Sequence, residues 1–244
     1  MAMNFTCYTE WRQLPASADV LFSVAEASSP FLSRQWFATL DAATRSAGRS
    51  LLIASVVDDR RVLAMLPLVA CEPGHWESLT HRYTPFYNVL SHEAHRQEAL
   101  TCLAEGLGRL PLQSLRIEPV DTESREMREF RYAMHACGFD SWRRFSAYNW
   151  IHSRRKQSYD DYLRERPARL RNTIARKSRK LQRERGYEIR LFRGNEVESG
   201  LPDYHAAHAA SWKANEQFGS LLNGMAIGLA APDWTRLAVL YIEG

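Results

Sequence analysis

The spacing of apolar residues changes along the chain, and each change predicts a new element. Residues 4–8 read as a short first strand. Over residues 16–27, Val20, Leu21, Val24 and Ala25 recur at helical intervals. A second helix is predicted in RQWFATLDAAT, where Trp36, Phe37 and Leu40 share a face and Ser33 precedes as N-cap. The period then switches. Residues 51–57 and 62–70 are aliphatic and β-branched runs joined by Asp58-Asp59-Arg60-Arg61, which predicts a hairpin. Neither run alternates with polar residues, so both faces of their sheet should be covered by helices.

Further strands are predicted at 76–79, 114–117 and 144–151, and helices at 93–107 and 124–136. Ala99, Leu100, Leu103 and Leu107 align on the first of these helices, and Gly106/Gly108 reads as its C-terminal stop. Between the strand at 76–79 and that helix lies the polar and aromatic tract His81-Arg82-Tyr83-Thr84-Pro85-Phe86-Tyr87-Asn88. The order through residue 151 is β-α-α-β-β-β-α-β-α-β.

Beyond residue 151, Ser158-Tyr159-Asp160-Asp161 has the form of a capping box and starts a short helix. A long helix follows over PARLRNTIARKSRKLQRER, residues 167–185. Pro167 suits its first position and Gly186 its end. The opening pattern then appears again, with a strand at 187–192, a helix at 203–215, a helical or irregular stretch through 230, and LAVLYI at 237–242. LAVLYI reads as a buried strand with two apolar faces, followed by a turn-like Glu243-Gly244. Such a strand needs neighbours on both sides. It is expected as an edge strand of the first sheet or as the last element before a truncation.

Charge singles out the long helix. The chain carries 32 basic and 28 acidic residues, net +4. Residues 154–193 hold 15 basic against 5 acidic, whereas the remainder is net −6. At 100° per residue, Leu170, Ile174, Ser178 and Leu181 share a narrow stripe, and Arg169, Arg176, Arg179, Lys180 and Arg183 fall opposite. Like charges three and four residues apart cost about 0.2–0.5 kcal/mol per pair, which a bound anion would offset. Arg169, Arg171, Arg176 and Lys177 are the candidate anion contacts, since the guanidinium fork suits phosphate; a solvated face is the alternative. Tyr83, Tyr87 and Asn88 follow a strand where a substrate groove would fall, and the rings could stack on a sugar or an adenine; loop packing is the alternative there.

Composition narrows the chemistry. With 244 residues, 45% hydrophobic and 25% charged, the chain suits one large domain or two small ones of an ordinary globular protein. No apolar run approaches 18 residues, and the first residues lack the form of a signal peptide. Cys7, Cys71, Cys102 and Cys137 are far apart, without a CxxC pair, which points to free thiols and a cytoplasmic protein. His205 and His208 form an HxxH, but no third ligand has suitable spacing, so no metal is expected. There is no GxSxG elbow and no Gly-rich phosphate turn.

The element order resembles the GNAT acyltransferase fold, a mixed sheet flanked by helices. SPFLSRQWFATL, YDDYLRERPARLRNTIARKSRKLQRERGYEIRLF, AAHAASWKANE and RLAVLYIEG sharpen the likeness. Together they resemble the GNAT-type acetyltransferases of cellulose and exopolysaccharide biosynthesis, relatives of the Fem-type peptidyltransferases. The resemblance implies an α/β protein of tandem GNAT-like halves: residues 1–151 as the first, 152–186 as a basic helical connection, and 187–244 as the start of a truncated second. It implies acetyl-CoA or another acyl-CoA as co-substrate and an amine or hydroxyl of a small or glycan-precursor acceptor. It further implies Trp212 as a wall of the cleft with Lys213 beside it, core packing of Trp212 being the alternative; Glu216 is a candidate base on the same helix. A nucleic-acid-binding module, a tRNA partner for the basic helix, and a non-catalytic GNAT-like shell are the competing readings.

Overall fold

The computed structural model describes residues 2–46, 48–59, 61–150, 157–212 and 219–242. Over these residues the chain is an α/β protein with a mixed six-stranded sheet, a separate two-stranded sheet and eight α-helices. It divides into two units. The first comprises Met1–Ser146 with Phe218–Leu229, and the second Ala147–Gln217 with Ala230–Gly244.

The centre of the first unit is the expected hairpin. β2 (Ser50–Val57) and β3 (Val62–Glu72) pair antiparallel from Ser50↔Ala70 to Val57↔Val62. Asp58 sets the turn, accepting from the Arg61 N–H at 2.7 Å while its own N–H donates to the Arg61 carbonyl at 2.9 Å. Residues 51–56 and 62–69 are buried without interruption, as their unbroken apolar character requires. β1 (Asn4–Tyr8) adds antiparallel to β2. The long outer edge of β3 is shared by β4 (His75–Ser78) and the two-residue β5 (Leu90–Ser91). β6 (Ser114–Arg116) then joins β4 in parallel, giving the order β1-β2-β3-β4-β6.

Helices α1 (Ala18–Ser28), α2 (Arg34–Ser46) and α3 (Arg96–Gly108) pack on this sheet, and α4 (Arg125–Ala136) packs on α3. Ser33 caps α2, its hydroxyl accepting from Trp36 N–H at 3.1 Å. Trp11, Phe22, Phe37 and Tyr87 form a continuous aromatic cluster with ring centroids 6.0–6.3 Å apart. α1 is rotated from its expected phase. Ala18, Leu21 and Phe22 are buried, whereas Val20 and Val24 face solvent. α8 (Gly219–Gly228), which the sequence assigned to the second half, packs on α2, with Gly224 and Gly228 close to Thr39 and Gln35.

Two further expectations fail here. Gly106 is no helix stop: it lies inside α3, where a Cβ would stand 1.9 Å from Phe5 Cγ, so it permits the close approach of α3 to β1. Nor is the strand at 144–151 formed. Residues 144–150 have no ladder partner, Trp142, Phe145, Tyr148 and Trp150 are exposed, and residue 151 lies outside the described residues. Alternation shows only that a segment could pair; a ladder also needs a neighbouring edge.

In the second unit the Ser158–Asp161 capping box forms as expected, starting α5 (Tyr159–Arg164). The basic helix is α6 (Ala168–Glu184), with Pro167 as N-cap rather than first helical residue. Gly186 closes it at φ +70°, its N–H donating to the carbonyls of Leu181 and Gln182. β7 (Tyr187–Arg193) and β8 (Arg236–Ile242) pair antiparallel along their whole length and constitute the second sheet. LAVLYI therefore does not join the first sheet. It is also not buried on both faces: Leu237, Val239 and Tyr241 are half-buried, while Ala238, Leu240 and Ile242 are exposed. α7 (Val197–Ala209) packs on both strands and begins six residues before its expected start, running through Pro202.

Candidate functional site

The cationic helix presents most of its candidates to solvent. None of the seventeen residues of α6 is buried, and Leu170 of the supposed packing stripe is 46% exposed. Ile174, Ser178 and Leu181 are only half-covered. Glu184, the helix's one acid, lies 3.8 Å from Lys180 and 3.3 Å from Arg183. Arg169, Arg171, Arg176 and Lys177 make no ion pair among the described residues. These four do not share one face. By helical geometry Arg169 and Arg176 are neighbours, Lys177 lies at the border of the aliphatic stripe, and Arg171 lies across it.

The aromatic tract after β4 is split between core and surface. Tyr87 is wholly buried, packed edge-on against Phe37, and its hydroxyl donates to the Pro67 carbonyl at 2.6 Å. Burial pushes its phenol pKa well up, and no face of the ring is left for a ligand. Tyr87 thus belongs to the fold rather than to a groove. Asn88 is nearly buried as well. Its amide donates to Glu126 at 3.4 Å and its carbonyl accepts from Ser124 at 3.2 Å. Tyr83 remains at the surface, 42% exposed, with the His81 ring 5.3 Å away and the Arg82 guanidinium 5.2 Å over its own ring. Desolvation, with Arg82 adding to it, holds the His81 imidazole pKa below its ordinary value.

β4 and β6 pair over only three positions, ending at Glu77↔Arg116, and then part. Ser78 spans the opening: its hydroxyl donates to the Glu118 carbonyl at 2.8 Å and accepts from the Glu118 N–H at 3.1 Å. Farther along, Tyr87 N–H donates to the Pro119 carbonyl at 2.8 Å. The gap between the parallel strands is thus closed by this chain's own groups.

Trp212 lies in the turn after α7 and is 87% exposed. Lys213 and Glu216 lie outside the described residues. His205 and His208 both meet the ring of Tyr204, at 5.6 and 6.1 Å. Among the described residues no group of three or more His, Cys, Asp or Glu could hold a metal ion.

Sequence reasoning missed two polar clusters. At one end of the sheet, Arg49 donates to Cys71 Sγ at 2.6 Å and to Glu77 at 3.0 Å, and Arg116 meets Glu77 at 2.6 Å. Desolvation works against the Glu77 carboxylate, but hydrogen bonds from Cys71 and Arg49 and the charge of Arg116 prevail and lower its pKa. Next to it, His75 Nδ1 is 2.7 Å from Ser114 Oγ. The second cluster joins α3 to α4: Arg96 lies 3.2 Å from Glu126, which also accepts from Ser124 at 3.0 Å. Only the strand register and helix packing bring these distant residues together, so no local motif marks them.

Comparison of the chain with family models, curated proteins and solved structures finds no match. Among the described residues no helix is long and apolar enough to cross a membrane.

Proposed function

We propose that this chain is part of the GNAT-type acyltransferases, moving an acyl group from acyl-CoA to an amine or hydroxyl of a small or glycan-type acceptor. The observation that carries the reading is a repeated topology. In chain order β1-α1-α2-β2 is followed later by β7-α7-α8-β8, and in each case the two strands pair antiparallel, although α8 packs on α2 of the first unit. A β-α-α-β start occurring twice is what tandem GNAT-like halves would have. The parallel β4–β6 pair, reached through α3 after an antiparallel meander, supports the same reading.

Such chemistry asks little of side chains. The acyl thioester is held beside the acceptor, a backbone N–H polarises its carbonyl, and the acceptor's proton leaves to a base or to water. The opening between β4 and β6 is occupied by Ser78 and by the main chain of Tyr87, so we assign no donor site to it. The surface group His81-Arg82-Tyr83 is assigned to the acceptor side. The test is thiol release from acetyl-CoA with a panel of amine and hydroxyl acceptors, alongside calorimetric titration of acetyl-CoA. Cys7, Cys71, Cys102 and Cys137 are free thiols, so a protein-only blank is required. Acceptor-dependent release above that blank supports the reading; no binding and no release across the panel would remove it.

A further inference from the structure

We infer that α6 is a binding surface for the phosphodiester backbone of a double-stranded nucleic acid. A helix with no buried residue gains little from the fold, and helices of this length are marginal alone in water. This one is disfavoured further. Its first turn has no acid and no side-chain cap, and it begins with Arg169 and Arg171 at the positive end of the helix dipole. At 100° per residue, Arg179, Arg183, Arg176, Arg169, Lys180 and Lys177 occupy an arc of about 160°. Asn172 and Thr173 lie within that arc. Arg169, Arg176, Lys177 and Arg179 make no ion pair among the described residues. An extended polyanion removes the like-charge repulsion and satisfies the first turn together.

The distribution selects the partner. From Arg169 to Arg183 the cations extend over about 21 Å of helix, too far for one phosphate or diphosphate to engage them. No aromatic residue occurs in α6, so a single strand would lack the stacking that holds unpaired bases. The aliphatic stripe is only Leu170, Ile174 and Leu181, two of them half-covered, which is too thin to enter a lipid surface. A duplex needs neither rings nor an apolar face. An α-helix about 10–12 Å across also matches the roughly 12 Å major groove of B-DNA.

The test is fluorescence anisotropy of the full chain with labelled 20-base-pair DNA and RNA duplexes, a single strand of equal length, and phosphatidylserine vesicles. Four neutralised phosphates predict a slope of log K against log salt of about −3.6, or roughly 150-fold weaker duplex binding between 50 and 200 mM salt. Replacing Arg169, Arg176 and Arg179 together with Gln should reduce the slope to about −0.9, a change of only about 3.5-fold over the same range. Gln retains helix propensity, so an unchanged far-UV circular dichroism spectrum verifies the helix. Arg109→Gln with Arg128→Gln, in the first unit, should leave the slope unchanged. Whether DNA or RNA binds more tightly identifies the duplex, and either supports the inference. Absent duplex binding at 50 mM salt, an unaltered slope in the triple variant, or tighter binding to the single strand or the vesicles would each overturn it.

Discussion

Gly106 and Gly108 stand two residues apart on α3, and alanine at each should move stability in opposite directions. A Cβ at position 106 would lie 1.9 Å from Cγ, 2.1 Å from Cδ2 and 2.5 Å from Cβ of Phe5. The Phe5 Cβ is fixed to the β1 main chain, so no rotamer of the ring clears the overlap, and α3 or β1 must shift. Overpacking of this kind costs about 1–3 kcal/mol, and the anchored contact places it at the upper end. Ala in place of Gly returns about 1 kcal/mol of helix propensity, leaving a net loss of about 2 kcal/mol. At Gly108 the nearest atom is Phe139 Cε2 at 3.6 Å, an ordinary contact. Gly108 is the last residue of α3, so alanine there should gain less than the roughly 0.5–1 kcal/mol of a helix interior. Urea unfolding followed by tryptophan fluorescence measures both. In a Phe5→Gly background all three of these side-chain atoms are gone, so the Gly106→Ala penalty should fall by half or more. A Gly106→Ala protein as stable as the parent, or an undiminished penalty beside Phe5→Gly, would refute the close approach of α3 to β1.

Two further substitutions probe the polar groups of the first unit. Tyr87→Phe removes the buried hydroxyl that donates to Pro67, but that carbonyl also accepts from Leu79 N–H at 3.0 Å. The acceptor stays satisfied, and a loss of only about 1 kcal/mol is expected in the same unfolding assay, against about 3 for an orphaned group. The Glu126 carboxyl is desolvated, which raises its pKa, yet its own backbone N–H, Ser124, Asn88 and Arg96 together bring it below the ordinary value. The unfolded state therefore binds a proton first as pH falls. The stability contributed by Glu126 is complete above the ordinary glutamate range and is lost as pH drops through the folded value. Urea midpoints from pH 7 to 3 should consequently fall less steeply for Glu126→Gln than for the parent; parallel curves would show that Glu126 does not contribute to the acid limb.

Local pattern was enough for much of the architecture. The β2–β3 hairpin, the Ser33 and Ser158 caps, the α3 face of Ala99, Leu100, Leu103 and Leu107, and the Gly186 stop were all legible. Each depends on neighbours a few residues away, and the covalent chain keeps those neighbours together whatever the rest does. The basic helix was legible for the same reason, since its periodicity and charge are properties of one continuous segment. What tertiary structure alone decided is where each element found a partner. LAVLYI paired with β7, α8 packed on α2, and residues 144–150 found no edge. Gly106 became a contact rather than a stop because Phe5, a hundred residues earlier, arrives there. Tyr87 and Asn88 read as groove residues until β4 and β6 parted, and the tract they belong to closed the gap. Burial, strand pairing and the distance between remote side chains are long-range quantities, and a periodicity measured over ten residues does not contain them.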